Sequence, residues 1–272
     1  MGASIVFDRA AEYYDDTRRL QPETQAAVIA QLVGELRDRG RCLEIGVGTG
    51  RIALDLHRNG VEMAGVDLSA AMLRKLVEKA GGRPPFPLAR ADATQLPVAD
   101  RRLGGVVICH VLHLIESWRR AIEELVRVLR PGGVILVESA TRLDGVASEV
   151  IRHFWSVASP GDRPHRPGLT DVGVLDQVLG GLGFRTRLLA PVSERTERSL
   201  EQIVAGLERG IQSACWRLTE DVRRSAAEAT REWVRGRYGS LDAPHAVGQT
   251  ITWRAYDAPG GVLERGACPP LR

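Results

Sequence analysis

The sequence predicts an α/β protein whose core is a doubly wound, mostly parallel sheet of seven strands, with helices ahead of it and a helical insert late in the chain. Three observations carry this expectation. Short apolar runs alternate with helix-period patterns from residue 41 onward, the connections between them are short, and a glycine-rich turn follows directly on the first run. Alternation of this kind implies parallel strands joined by right-handed crossovers.

The 272 residues suit one large domain, or one domain carrying an insert, and a hydrophobic content of 44% supplies a full core. A helical lead-in is expected over 7–19, stopping near Pro22. A second helix follows, with Val28, Ile29, Leu32, Val33 and Leu36 at helical spacing, and Gly40 ends it. Strands are predicted at 41–45, 61–66, 88–91, 105–109 and 134–138. The run at 105–109 is continuously apolar, as a strand buried on both faces requires. Helices are predicted at 52–57, at 69–79 with Ser69 as N-cap, and at 118–129, where Pro131-Gly132-Gly133 stops the chain.

Beyond Glu138 the rhythm loosens. A helix is expected at 146–157, an exposed loop at 160–167, a helix at 172–182 closed by Gly183, and a strand at 184–189. Ser199 and Gln202 form a capping box ahead of an apolar stripe made by Leu200, Ile203, Val204, Leu207 and Ile211. A further helix over 220–234 presents Val222, Ala226, Ala229 and Trp233 on one face. A strand at 249–256 completes the pattern. The expected organisation is a core over 1–190, a helical insert over 191–245 serving as a substrate cover, and a last strand and tail over 246–272.

The net charge of +3 does not by itself advertise a polyanionic partner, and Lys75 and Lys79 are the only lysines. Between residues 185 and 237 eleven arginines are interleaved with eight acids and no stacking-aromatic motif, which argues against nucleic acid. Cys42, Cys109, Cys215 and Cys268 make no metal or redox spacing, so no metal is expected. No secretory signal or membrane-length apolar run is visible, and a cytoplasmic location is the expectation.

The stretch Leu43-Glu44-Ile45-Gly46-Val47-Gly48-Thr49-Gly50 carries the chemistry. A glycine turn between a strand and its helix lets a ligand approach the backbone closely. A dinucleotide fingerprint spaces its glycines G-x-G-x-x-G, but its third position is Arg51 here. Asp67 ends the next strand about 20 residues on, where an acid accepts ribose hydroxyls; its plainer reading is a helix-start carboxylate ahead of Ser69.

With these blocks the sequence resembles the class I S-adenosylmethionine-dependent methyltransferases, most closely the ubiquinone/menaquinone-biosynthesis type and its small-molecule relatives. The resemblance spans about residues 7–138. It rests on Glu44 to Gly50, on Val66-Asp67-Leu68-Ser69 with Met72, on Ala91-Asp92-Ala93 leading to Leu96-Pro97, and on Leu125 to Gly133. It implies a Rossmann-like fold, S-adenosyl-L-methionine as cofactor and a small-molecule methyl acceptor. Gly46, Gly48, Gly50 and Asp67 would hold the cofactor, and Asp92 would accept from the adenine amino group, its alternative being a turn residue. Leu68 and Met72 would pack on the adenine, ordinary core being their alternative, and Ala93 and Cys109 would be further cofactor-binding residues. Glu44 is either a ligand-side group or a structural carboxylate behind the turn. In Ala10-Ala11-Glu12-Tyr13-Tyr14-Asp15 with Arg18, Tyr14 and Arg18 would close over the methionine end, Tyr13 being the alternative tyrosine. The sequence departs from the family at Leu103-Gly104, where Phe-Asp is usual, and it lacks an Asn/Asp-Pro-Pro-Tyr/Phe motif after the fourth strand, which counts against methylation of nucleic-acid bases.

In place of that motif stands Cys109-His110-Val111-Leu112-His113. Histidine titrates near neutrality and suits removal of an acceptor's proton. His113 is the first candidate and His110 the second, with a mere lining role as the alternative for both; His153 and His165 have weaker claims. Two readings compete with methyl transfer: a non-catalytic cofactor- or partner-binding module on the same fold, and an NAD-dependent oxidoreductase, which Arg51 disfavours.

Overall fold

Cys42, Leu43, Glu44 and Ile45 are all buried, and β1 (Cys42–Ile45) accordingly runs inside a sheet, parallel to β2 (Met63–Asp67) on one side and to β4 (Leu103–Ile108) on the other. The structure is a computed structural model and describes residues 6–143, 145–161 and 167–261. Its other strands are β3 (Leu88–Arg90), β5 (Leu129–Leu143), β6 (Arg185–Leu188), β7 (Val192–Ser199) and β8 (Pro244–Asp257). Seven lie in the order β3-β2-β1-β4-β5-β8-β6, and β7 pairs with β8 off this path. The pairs from β3 across to β5 are parallel and β6–β8 is antiparallel, so the expected doubly wound α/β sheet is present.

The predicted strands all appear, whereas β7 lies in a stretch that the sequence assigns to the helical insert. Its sequence, Val192-Ser193-Glu194-Arg195-Thr196-Glu197-Arg198-Ser199, has little apolar signal; Glu194 alone is buried, Val192, Thr196 and Ser199 are half-buried, and the rest are exposed. The lead-in also differs. Rather than one helix over 7–19, a 3-10 turn (Asp8–Ala10) precedes a short α1 (Tyr14–Arg18), and Pro22 opens α2 (Pro22–Leu36) at its first turn, where a missing N–H costs nothing.

Around the sheet lie α2, α3 (Ala53–Arg58), α4 (Ala70–Lys79), α5 (Trp118–Val128) and α7 (Val172–Gly181). Ser69 caps α4 as expected, accepting from Met72 N at 3.1 Å. Leu43, Ile45, Val106, Ile108, Ile135 and Val137 of the strands meet Trp118, Ile122 and Leu125 of α5 and Leu175 and Leu179 of α7 in one apolar cluster. Gly104, where the family usually has an acid, faces the backbone of Arg39. A Cβ there would fall 1.5 Å from the Arg39 carbonyl oxygen, so close approach of two chain segments replaces the side chain.

The chain divides into two units, residues 1–140, 167–192 and 252–272 in one and 141–166 with 193–251 in the other. The second therefore takes in α6 (Val146–Ala158), which the expected division at residue 190 leaves with the core, beside α8 (Leu200–Glu208) and α9 (Glu220–Tyr238). Val150, Phe154, Leu200, Val204, Leu207, Ala226, Ala227 and Val234 form its core. The Ser199–Gln202 capping box is present. The buried face of α9 is rotated from the expected one: Ala226, Ala227, Thr230 and Val234 are buried, and Val222 is exposed. Small residues let neighbouring helices approach, and Thr230 satisfies its hydroxyl on the Ala226 carbonyl at 2.7 Å. None of the described helices is long and apolar enough to cross a membrane.

Candidate functional site

A cleft with about 660 Å³ of free space, part of it open to solvent, lies at the carboxyl ends of β1 to β4. This is where the sheet order reverses, since β1 has β2 on one side and β4 on the other, and ligands of open α/β sheets bind there. Each of the four strands sends its following loop into the cleft: Gly46 and Gly48 after β1, Asp67 and Leu68 at the end of β2, Ala91, Asp92 and Ala93 after β3, and Cys109, His110 and Val111 after β4.

The glycine turn is fixed by backbone shape. Gly46 and Gly48 have φ of +64° and +54°, and a Cβ on Gly46 would lie 2.4 Å from Val111 Cγ2. Gly50 also has positive φ, but its close neighbours are Leu54 and Leu76, and it does not line the cleft. It packs the following helix against α4. Asp67 spans both sequence readings. Its Oδ2 accepts from Gly48 N and its Oδ1 from Ser69 N, each at 2.8 Å, so it ties the turn to the start of α4 while facing the cleft. Burial raises its pKa against the pull of those two amides. Asp92 likewise combines its alternatives: it lines the cleft and accepts from Thr94 N at 2.8 Å.

Tyr14, Leu68, Met72, Ala93 and Cys109 line the cleft; Tyr13 does not. Burial pushes the Tyr14 hydroxyl up to about 12, which keeps it a donor at neutral pH. Arg18 is not among the lining residues, and its buried Nε has no hydrogen-bond partner. The segment bearing Phe7 and Tyr14 is tied down at several points. Asp8 accepts from the Ser69 hydroxyl at 2.5 Å, Asp15 accepts from Thr49 and from Lys79, and Glu12 pairs with Lys75 at 2.8 Å. Both lysines of the chain thus hold this segment onto α4.

Glu44 does not reach the cleft. It is buried behind the turn, its Oε2 has no hydrogen-bond partner, and burial pushes its carboxyl up to about 8, with Arg51 and the Ala53 amide opposing. Its place is that of the structural alternative, and burial favours the neutral form of its carboxyl. A carboxyl raised from 4.5 to about 8 by folding favours the native state in acid, and that advantage is lost as pH rises through this window. Stability measured by denaturant titration should fall between pH 5 and pH 8 by roughly 1 kcal/mol per unit from this group. Glu44→Gln should flatten that slope, and an unchanged slope in the variant would show that Glu44 is ionised in the folded protein.

The two histidines after β4 part company. His110 lines the cleft, and His113, the first candidate from sequence, does not. His113 sits on a 3-10 turn (Leu112–Leu114), and its carbonyl accepts from Gly168 N at 3.1 Å. His110 holds φ at +56°, a left-handed conformation uncommon outside glycine, which turns the chain at the strand end. Its Nε2 lies 3.1 Å from Glu138 Oε1. His153 stacks on Trp233 at 4.4 Å with Nδ1 3.3 Å from Thr230 Oγ1, and burial lowers its pKa. His165 lies outside the described residues.

Sequence reasoning missed Arg51, Glu138, Phe7, Val111, Leu114 and Ile115. For the two charged residues a signal existed: each interrupts or ends an apolar stretch. Arg51 Nη2 lies 2.9 Å from Cys109 Sγ and 3.5 Å from Glu138 Oε2, and the Cys109 thiol is 2.7 Å from the same carboxylate oxygen. Burial holds the thiol well above its ordinary range, so it remains an S–H donor. Cys109, His110 and Glu138 bring three metal-donor atoms within 4.8 Å. The Arg51 guanidinium already places a permanent positive charge among them, and a divalent cation would be repelled there.

A parallel sheet with a glycine turn, an acid ending β2 and a second acid after β3, all around one cleft, defines a nucleotide-cofactor enzyme of the α/β class. The methyltransferase-domain family matches residues 43–137, which contain β2 to β4, all of β1 but its first residue, and most of the cleft-lining residues. A malonyl-[acyl-carrier protein] O-methyltransferase of Enterobacter lignolyticus is 31% identical over 66% of this chain and 67% of its own length. A ubiquinone/menaquinone biosynthesis C-methyltransferase of Syntrophotalea carbinolica is 34% identical over 48% of this chain and 57% of its own length. The matches thus span about half to two thirds of these relatives. Among solved structures, the YcgJ protein of Bacillus subtilis shares the fold, with a TM-score of 0.58 and 16% identity over 89% of this chain and 100% of that one. The chain belongs to the class I S-adenosylmethionine-dependent methyltransferases.

Proposed function

We propose that this protein transfers the methyl group of S-adenosyl-L-methionine to an oxygen, nitrogen or carbon of a small-molecule acceptor. The observation that carries the reading is the convergence of the Gly46–Gly48 turn, Asp67, Asp92 and His110 on one cleft. The cleft fits the cofactor. Side chains are missing where a ligand must meet backbone, and each Asp67 oxygen engages one amide, leaving acceptor capacity for ribose hydroxyls. Asp92 would accept from the adenine amino group, with Leu68, Met72 and Ala93 against the ring. Tyr14, held above by the segment that the lysines pin, would cover the methionine end together with Arg18.

When bound, S-adenosylmethionine supplies an electrophilic sulfonium methyl whose transfer leaves a neutral thioether. Such a reaction needs little covalent help, and the chain's task is alignment and exclusion of water. Gly46, Gly48, Asp67 and Tyr14 would hold the cofactor so that its methyl group could be offered in line to the acceptor's nucleophilic atom. The proton that an oxygen or carbon acceptor must release goes to His110, the cleft histidine, rather than to His113. The two relatives act, by their names, on different atoms, O and C, so the nucleotide half they share with this chain does not select the acceptor. The interleaved charges of residues 185–237 favour a small organic acceptor over nucleic acid.

Calorimetry tests the reading directly. S-adenosylhomocysteine should bind and NAD should not, and a screen for labelled-methyl transfer into metabolite pools should then yield an acceptor. Binding of NAD without S-adenosylhomocysteine would overturn it.

A further inference from the structure

Glu138 closes the apolar run of β5, and its side chain is only 3% exposed. A buried carboxylate at that depth demands partners, and those among the described residues include three of different kinds. Oε2 accepts from the Cys109 thiol at 2.7 Å and faces the Arg51 guanidinium at 3.5 Å, while Oε1 faces His110 Nε2 at 3.1 Å. One oxygen is thus used to hold the carboxylate, and the other is presented to the imidazole. Arg51 and Cys109 are in turn joined at 2.9 Å, which closes the set into a ring of contacts that ends on His110, a cleft-lining residue.

We propose that Glu138 is a positioning residue acting through His110. It fixes the imidazole as the tautomer protonated at Nε2, donating to Oε1, so that proton exchange with an acceptor runs through Nδ1. The left-handed backbone at His110 fits this role. A strained φ persists where surrounding contacts over-determine it, and the bond to Glu138 is such a contact. Arg51 balances the carboxylate charge, and Cys109 orients it. The inference deepens the methyl-transfer reading and rests on it for its meaning in catalysis, although the geometry it asserts is independent of any acceptor.

Among the described residues, the ionisable groups around this cluster are Cys109 and His110 after β4, Glu138 on β5, Glu44 on β1, Arg51 after β1, and Tyr14 of α1. Replacing Glu138 by glutamine removes the negative charge and leaves Arg51, so the imidazolium becomes harder to form. The full chain labelled with 15N-histidine, with and without S-adenosylhomocysteine, provides the test by long-range proton–nitrogen correlation spectra. His110 should show a protonated Nε2 in the wild-type protein, and in Glu138→Gln its titration should move about one unit to lower pH. A wild-type His110 protonated at Nδ1, or a titration unmoved in Glu138→Gln, would overturn the proposal. The wild-type spectrum stands even if the variant fails to fold. Calorimetry with S-adenosylhomocysteine on the same samples separates the two ideas: absent binding sinks the methyl-transfer reading while the tautomer result stands. With an acceptor from the labelled-methyl screen, His110→Asn combined with Glu138→Gln should be no slower than His110→Asn alone, and additive losses would also overturn the proposal.

Discussion

Asp67→Ala should weaken S-adenosylhomocysteine binding by about 10- to 1,000-fold, read by calorimetry, and should destabilise the protein as well. The ligand part of the effect comes from ribose hydroxyls that lose a charged acceptor, worth about 1.5–3 kcal/mol. The structure adds a second part. The Asp67 carboxylate holds the amides of Gly48 and Ser69, so its removal orphans one donor in the glycine turn and another at the start of α4. Each orphaned donor costs about 1–3 kcal/mol if it stays buried, and the turn that shapes the cleft loosens with it. Asp67→Asn separates the parts. Its amide keeps one carbonyl oxygen for a backbone donor and turns an NH2 toward the other, so one of the two bonds must be given up while the side-chain volume stays. Cofactor affinity should fall in Asn by a smaller factor than in Ala. Wild-type affinity in the Ala variant would show that Asp67 serves the turn alone.

The extent of what was legible follows from where physical constraint is local. β1 and β4 are apolar throughout because both faces of a central parallel strand are buried, and the Ser69 and Ser199 caps are set by residues three apart. β7 was hidden because a peripheral strand exposed along much of its length needs no apolar alternation, and its pairing with β8 lies some fifty residues away, as in the Ser193–Thr250 contact. In the site, Gly46, Gly48 and Asp67 were legible because a glycine at positive φ and an acid at a strand end answer to the chain's own geometry. Gly50 shares the positive φ but serves packing, a difference that only its neighbours Leu54 and Leu76 reveal. In the sequence Arg51 stands only as a missing glycine. Its function depends on Cys109 and Glu138, which arrive from two other strands, and no spacing rule connects the three.

The histidine pair shows the same limit and gives the second large effect. Sequence position favours His113 over His110 for the cleft, since nothing local says which way the chain turns after β4. Two long-range contacts decide it. Val111 packs where a Gly46 side chain would stand, and the carbonyls of Leu112 and His113 accept from Leu169 and Gly168, fixing the 3-10 turn there. His110 must then take the left-handed turn, facing the cleft and Glu138. With an acceptor found by labelled-methyl transfer, His110→Asn should lower kcat by about 100-fold or more, within the range for a lost general base. Asparagine is the informative substitute because it tolerates positive φ and cannot take the proton, so backbone strain is not added to the loss. S-adenosylhomocysteine affinity should change little, and for an oxygen or carbon acceptor the pH–rate profile should lose its near-neutral limb. His113→Asn should leave kcat within a few-fold of wild type and keep that limb. A larger loss in His113→Asn than in His110→Asn would restore the order expected from sequence. A near-neutral limb that survives in both variants, with kcat reduced in neither, would identify an acceptor that needs no base from the chain, as an amine that attacks once neutral and sheds its proton to water afterwards, and would turn the reading toward nitrogen methylation.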